Sequence, residues 1–340
     1  MSSEALARLA RIHSVDGTVY LKRAEWSEFT AVSAGTALYG DDLLKPDLNS
    51  TVVITCPDGE RSDNPPTPGL ENSVNESCPG TPRSDVRPDF GVSEVWGGSD
   101  LSIPFVLTPR TDFVLSATPT LRWNPVSGAT TYTVALTTPQ GTVWQVTTDQ
   151  ATLPYPENEP ELMADSTLYE LLVTVDAGTA STDEGLDLKF IRIFGSDVSA
   201  AEAEIAQVQA MDLPDDIKIL VLVEEVYPKY SLTGEAISDL LTLIEDCTET
   251  AHIYRLLGDL YVKSGLQIPA EESYQKALEF AAMEENLEEE TLAYLGLGTL
   301  YQAISDQEKA LETLQQAKAV ALSLGNAKLV ASIESQLSGL

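Results

Sequence analysis

The chain has 340 residues, of which 43% are hydrophobic, so it is long enough for two or three domains with cores of their own. Its formal net charge of −33, from 53 acidic and 20 basic residues, would repel a phosphate backbone, which argues against nucleic acid as a partner. The chain contains no run of roughly eighteen apolar residues, so we expect no membrane-spanning helix and no membrane insertion.

The N-terminal residues MSSEALARLARIHSV hold two arginines and no continuous apolar core, so they do not look like a secretory signal. Residues 10–59 then alternate apolar and polar positions, which predicts a small β domain. Within it, Asp16-Gly17 can supply a tight hairpin turn.

Residues 60–100 are dense in Pro, Gly, Ser, Asn and Asp and are predicted to form a linker. Cys56 and Cys78 flank the first part of this segment. A disulfide between them would pin it and stabilise the fold by roughly 3 kcal/mol in an oxidising compartment. The alternative is two unpaired thiols. We interpret Cys247 as a small core residue.

Residues 101–195 contain further short alternating runs separated by Pro, Gly and Asp turns, a spacing that predicts about seven strands in two sheets. Trp123 and Trp144 are expected to anchor the core of this β-sandwich. After Asp197 the hydrophobic period changes from two to 3.6, and residues 197–340 are predicted to be helical. Ser199 and Glu202 are predicted to form the capping box of the first helix, and Ser305 and Glu308 that of a later one.

One pattern of residue types recurs in the helical part, which indicates stacked helix pairs. Gly and Ala at fixed places would let the two helices of a pair approach closely. The clearest copy has Tyr254, Leu257, Gly258, Tyr261, Ala270, Tyr274 and Ala277; the next has Tyr294, Leu297, Gly298, Tyr301, Ala310, Leu314 and Ala317; a weaker copy has Leu220, Val223, Tyr227, Ala236 and Leu240.

This pattern resembles the tetratricopeptide repeat. The sequence departs from the family pattern in three ways: the closing proline is missing, Glu224 stands where Gly is expected, and the second interval is longer. We attribute the longer interval to extended helices and a longer connection over MEENLEEE. The resemblance implies a concave groove that holds a protein or peptide partner. Asp259 stands where a clamp for a terminal carboxylate would have Asn, so no such clamp is expected. The groove-facing residues would be Lys218, Glu225, Lys229, Arg255, Asp259, Lys263, Thr299 and Gln302; alternatively, these are solvated helix surface.

The glycines and apolar residues of the first β domain, among them Gly17, Gly35 and Gly40, resemble the FecR-like domain, which implies an extracytoplasmic location. Pro119 to Trp123 and Tyr169 resemble a fibronectin type III sandwich, in which such a tyrosine bonds back to the main chain. The order of domains is similar to that of cyanobacterial tetratricopeptide proteins of the cell envelope. The fold class is therefore predicted as multidomain β plus α: a FecR-like domain, a β-sandwich and a C-terminal α-solenoid of three helix-pair repeats with capping helices.

Catalytic chemistry has little raw material in this sequence, since it has only His13 and His252 and none of the common nucleophile, phosphate-loop or zinc motifs. We therefore predict no enzyme, no cofactor and no metal site. The acidic run from Glu284 to Glu290 is interpreted as a solvated face rather than a Ca²⁺ site.

The leading functional hypothesis is a periplasmic or envelope scaffold that binds a peptide or protein segment in the helical groove. A sensory module that binds glycan through the FecR-like domain is the second. A cytoplasmic assembly factor, which would have free thiols at Cys56 and Cys78, is the third.

Overall fold

The computed structural model describes residues 9–82, 90–111, 113–246 and 248–340. Two β regions come first along the chain and a run of helices follows, so the architecture is mixed β plus α. No helix in these ranges is long and apolar enough to cross a membrane. Cys247 lies outside the described residues, so its predicted core position is not addressed.

The first β region consists of two small antiparallel sheets with strand orders β4-β1-β6 and β3-β2-β5-β7. Side chains alternate between the two faces of each strand, and those on the inner faces, such as Ile12, Leu21 and Ile54, pack in one shared core. The elements are β1 (Ala10–Asp16), β2 (Val19–Lys22), β3 (Thr30–Val32), β4 (Ala37–Leu38), β5 (Leu43–Pro46), β6 (Thr51–Thr55), β7 (Asn72–Ser73) and the short helix α1 (Val74–Ser77).

The predicted hairpin at Asp16-Gly17 is wrong, although the turn itself is present. Gly17 has a φ of +90°, which favours glycine, but β1 pairs with β4 and β6 while β2 pairs with β3 and β5. The turn therefore carries the chain from one sheet to the other. Glycine is also required sterically at this turn, since a side chain at Gly17 would collide with Ser50.

The segment 60–100, predicted as a linker, packs against the rest of the molecule through both of its described parts, 60–82 and 90–100. Cys56 and Cys78 are joined in a disulfide, β7 pairs with β5, and Val74 lies in the core of the first β region. Further along, Gly97 exchanges backbone hydrogen bonds of 2.8 and 2.9 Å with Gly265 and Gln267, at the turn between two helices.

The second β region holds two three-stranded antiparallel sheets, β13-β10-β8 and β12-β11-β14, and a parallel pair, β15-β9. Trp123 and Trp144 are buried in one core, as predicted. The Tyr169 hydroxyl accepts a hydrogen bond of 2.9 Å from the backbone N–H of Met163, the predicted bond back to the main chain. The strands are β8 (Val106–Thr108), β9 (Phe113–Val114), β10 (Leu121–Trp123), β11 (Tyr132–Thr138), β12 (Gly141–Thr148), β13 (Thr152–Leu153), β14 (Glu170–Val175) and β15 (Ile191–Arg192).

The helical region begins at Ser196, and its longest helices pack against their neighbours along the chain. A π-helical turn (Leu222–Val226) and a 3-10 turn (Tyr227–Tyr230) separate α3 from α4. The helices are α2 (Ser196–Gln209), α3 (Asp215–Val221), α4 (Thr233–Glu245), α5 (Ala251–Lys263), α6 (Gln267–Glu284), α7 (Leu287–Ala303), α8 (Gln307–Leu324) and α9 (Ala327–Leu337).

Glycines permit close packing between α5 and α6 and between α7 and α8. A Cβ on Gly258 would lie 2.7 Å from the ring of Tyr274, and one on Gly298 would lie 2.7 Å from Leu314. Each glycine therefore leaves space for a large side chain of the opposite helix, and that side chain packs tightly between the two helices. The predicted longer connection after α6 is absent, because only Glu285 and Asn286 separate α6 from α7.

Candidate functional site

A cavity of about 500 Å³ lies between the first β region and the helices, and it gathers half of the predicted groove residues. Glu225, Arg255, Asp259 and Thr299 line it. The opposite wall is formed by the first β region, with side chains from β1, from β4 and from the segments that follow β2 and β3. The lining comprises Leu9, Arg11, Arg23, Ser33, Thr36, Ala37, Tyr39, Phe90, Gly91, Val92, Glu224, Glu225, His252, Arg255, Asp259, Val262, Tyr274, Asn286, Glu288, Glu289, Leu292, Leu295, Gly296, Thr299 and Gln336.

The other four predicted groove residues lie elsewhere. Lys218 pairs with Asp215 at 3.3 Å and Lys229 with Glu204 at 2.5 Å, and neither lysine lines the cavity. Lys263 borders a separate small crevice near Tyr227, and Gln302 is not part of the cavity wall.

Arg11 of β1 links the β wall of the cavity to the helical wall. Its guanidinium donates to Glu224 at 2.6 Å and to Glu225 at 2.7 Å, and also to the carbonyl of Gly35. Only 2% of the Arg11 side chain is exposed. Burial alone would lower the pKa of Arg11, but the two glutamates outweigh it and raise that pKa. Arg11 and Glu224 are thus both ionised at neutral pH.

His252 and Arg255, on consecutive turns of α5, converge on one carboxylate. Glu289 accepts from Arg255 Nε at 2.5 Å and lies 2.8 Å from His252 Nδ1, while His252 Nε2 lies 3.3 Å from Glu224. Burial would lower the pKa of His252, but Glu224 and Glu289 raise it to about 9. Burial would raise the pKa of Glu289, yet Arg255 and His252 lower it. This side of the cavity therefore holds an imidazole whose pKa the carboxylates on either side raise, with Arg255 Nη2 3.1 Å from its Nδ1.

Asp259 completes the network on the helical side. It accepts from Arg255 at 2.6 Å and from the Tyr274 hydroxyl at 2.7 Å. Burial raises the pKa of Asp259, opposed by Arg255. Since both donors are fixed by helix packing, the orientation of the Asp259 carboxylate is fixed too.

Arg23, directly after β2, makes a second buried connection between the two walls. It donates to Glu288 at 2.7 Å and to Asp42 at 2.8 Å, and its guanidinium lies against the rings of Trp26 and Tyr39. Burial raises the pKa of Asp42 to about 6, against the opposing effect of Arg23. A smaller cavity of about 250 Å³ adjoins this group, bordered by Trp26 and the start of α9.

The interpretation of the acidic run from Glu284 to Glu290 as a solvated face is wrong for Glu288 and Glu289. Only 5% of Glu288 and 7% of Glu289 is exposed, because the first turn of α7 faces the first β region. These carboxylates are functional candidates that the sequence did not single out, together with Arg11, Arg23 and Glu224. Glu224 did carry a signal, since it replaces the Gly of the other repeat copies.

In the described ranges, no group of three or more His, Cys, Asp or Glu side chains is arranged so that it could bind a metal ion. Neither the protein-family models nor the curated proteins with which the chain was compared match it. Inference about function therefore rests on the cavity and its charges.

Proposed function

We propose that this chain is a non-catalytic binding protein that holds a short polypeptide segment of a partner in the 500 Å³ cavity between the first β region and the helices. The observation that carries the proposal is the convergence of Glu225, Arg255, Asp259 and Thr299 on this one cavity. Its volume lies in the range of ordinary ligand sites.

The proposal includes tetratricopeptide-type repeats in the helical region. Gly258 and Gly298, forty residues apart, each admit a large side chain from the next helix, which supports an equivalent role for α5–α6 and α7–α8. In this proposal the first β region, of FecR-like type, covers the inner face of the repeats and leaves room only for a segment, not for a folded domain.

An extracytoplasmic location is part of the same proposal. The Cys56–Cys78 disulfide favours an oxidising compartment over the cytoplasm, where thiols are kept reduced. The alternative of a cytoplasmic assembly factor requires free thiols at these two positions. Labelling of thiols in protein taken from its native compartment, before and after reduction, separates the two.

A glycan-binding sensory module is the second candidate. The 250 Å³ cavity favours it, because Trp26 and Tyr39 border that space and aromatic rings are suitable platforms for sugars. Binding of a glycan panel to the whole chain, lost in Trp26→Leu, would support this candidate, and a flat result would remove it.

The leading proposal is tested by filling the cavity from a wall position that takes no part in the ion pairs. Heptapeptides are selected from a random display library on the immobilised whole chain, and their affinities are compared for wild type, Thr299→Trp and Gln315→Trp. Gln315 lies exposed on α8 and serves as the matched control. We expect at least tenfold weaker binding to Thr299→Trp alone. Failure to select any peptide, or equal binding to all three proteins, contradicts the proposal.

A further inference from the structure

We propose that the 500 Å³ cavity receives a cationic side chain, lysine or arginine, of the partner segment. This inference rests on the proposed function and adds the chemistry of the ligand. It is carried by the charges that line the cavity, by their existing partners and by the apolar surface beside them.

The charges of the lining leave an excess of carboxylate. Three guanidinium groups and one imidazole face five carboxylates, so one negative charge remains even when His252 is protonated. Asp42, bonded to Arg23 behind the wall, adds another. The acidic side chains of the lining are Glu224, Glu225, Asp259, Glu288 and Glu289; the basic ones are Arg11, Arg23, His252 and Arg255.

Each arginine of the lining already holds two carboxylates. Arg11 pairs with Glu224 and Glu225, Arg23 with Glu288 and Asp42, and Arg255 with Glu289 and Asp259, at 2.5 to 2.8 Å. An anionic ligand would have to displace one of these carboxylates and leave it buried without its partner, which is strongly unfavourable. The site therefore discriminates against acidic segments.

The carboxylates, in contrast, can accept further hydrogen bonds. An ionised carboxylate offers about four acceptor positions, and an ammonium or guanidinium group supplies several donors. The buried amide oxygen of Gln336, on the same wall, accepts no hydrogen bond from any residue in the described ranges. Arg11 Nε and His252 Nε2, also in the lining, donate to no residue in those ranges either, so it is the surplus of carboxylates that favours a cation.

The shape and surroundings of the cavity suit a long basic side chain. Val262, Leu292, Leu295 and Gly296 line it next to the charged groups, and such a surface packs well against the methylenes of lysine or arginine. The net charge of −33 attracts a basic segment from a distance and repels an acidic one.

The test uses three acetylated, amidated pentapeptides made only of lysine, asparagine or glutamate, measured against the whole chain by isothermal titration calorimetry at 150 mM NaCl. We expect saturable one-to-one binding of the lysine peptide, at least tenfold tighter than the asparagine peptide, and no binding of the glutamate peptide. Two matched pairs of variants separate the cavity from general attraction to an acidic surface. Glu225→Gln and Thr299→Lys should each weaken lysine-peptide binding at least tenfold, whereas Glu312→Gln and Gln315→Lys, both exposed on α8, should change it less than threefold.

The outcomes distinguish the two proposals. If asparagine or glutamate peptides bind as tightly as the lysine peptide, the charge inference is overturned while peptide binding stands. If the lysine peptide binds but loses as much affinity in Glu312→Gln as in Glu225→Gln, its attraction is general and the inference again fails. If no peptide binds, here or in the display selection, the proposed function fails with it. Circular dichroism of each variant confirms that it is folded.

Discussion

The two β regions contact the helical region in different ways. The second β region buries Phe105 among helical side chains, and the backbone N–H groups of Leu115 and Ser116 donate to Glu235. The first β region contacts the helices through Arg11 and Arg23, which pair with the buried Glu224 and Glu288, and through Leu324 of α8, which lies in its core. The second interface combines apolar packing with the polar contacts of Arg122 and Glu235, whereas the first retains a cavity of about 500 Å³.

The difference teaches what each interface is suited to do. Close-packed apolar contact is stabilising and leaves no room for a ligand. Buried ion pairs cost desolvation energy and contribute little net stability, and we interpret those of the first interface as serving specificity or binding. The first interface is therefore the better candidate for function, and the second for holding the molecule together.

The largest expected effect on stability comes from Arg11→Met, which leaves Glu224 and Glu225 buried without their partner. Loss of one member of a buried pair costs roughly 3–5 kcal/mol. Arg61→Met is the control, since the Arg61–Asp212 pair also joins the first β region to the helical region but is more than half exposed. It should cost less than about 1 kcal/mol. Urea unfolding measures both, and equal losses would contradict the assignment of Arg11 as the central contact.

The next effect concerns the disulfide, which only the first β region has. The bridge closes a loop with a sequence separation of 22, and Cys56→Ser with Cys78→Ser should lower the free energy of unfolding by about 3 kcal/mol. We expect the loss in the unfolding of the first β region, followed by fluorescence of Trp26. Trp123 and Trp144, buried in the second β region, should report an unchanged transition when each is kept as the only tryptophan. A shift in their transition would show that the two regions unfold together.

Local pattern in the sequence predicted much of the fold. The change of period after Asp197 marks the helical region, and alternation predicted strands in both β regions, because these signals depend on neighbours along the chain. Helix starts were less accurate. Ser199 lies inside α2, which begins at Ser196 after Gly195, and Asp306 rather than Ser305 caps α8.

The candidate site was only half predictable, for a physical reason. Thr299 and Arg255, which the resemblance to a helical repeat implied as groove residues, do line the cavity. Arg11 lies on β1 and Arg23 directly follows β2. No local sequence pattern specifies where these strands pack on the helices. Burial of Glu288 depends on which surface covers the start of α7, a fact of long-range packing that a run of glutamates conceals.

A smaller effect is expected from His252, and it depends on pH. The pKa of His252 is raised to about 9 in the folded protein from about 6.5 when unfolded, so its stabilising contribution is complete below pH 6.5 and lost as the pH rises through 9. His252→Gln should lower the free energy of unfolding by roughly 1–3 kcal/mol at pH 6. The difference from wild type should vanish near pH 9.5. Thermal melts at four pH values measure it, and a difference independent of pH would contradict a charged His252.

Below pH 4.5 the sign reverses for the carboxylates that flank this histidine. The pKa values of Glu224 and Glu289 are lowered in the folded protein, so their contribution is present above the unfolded value and is lost as the pH falls through the folded one. His252→Gln should therefore shift the acid transition to higher pH, because it removes a charge that keeps both glutamates ionised.

The smallest effect is expected at the second interface, where Arg122 pairs with Glu245 at 2.5 Å but 58% of the Glu245 side chain is exposed. Water solvates that carboxylate already, so Glu245→Gln should change the free energy of unfolding by less than about 1 kcal/mol. Glu288→Gln at the first interface removes an equal charge from a buried pair with Arg23 and should cost several times more. Urea unfolding of the two variants side by side checks the contrast. Equal costs would mean that the two interfaces do not differ in the burial of their ion pairs. The energetic reason to place function at the first interface would then be removed.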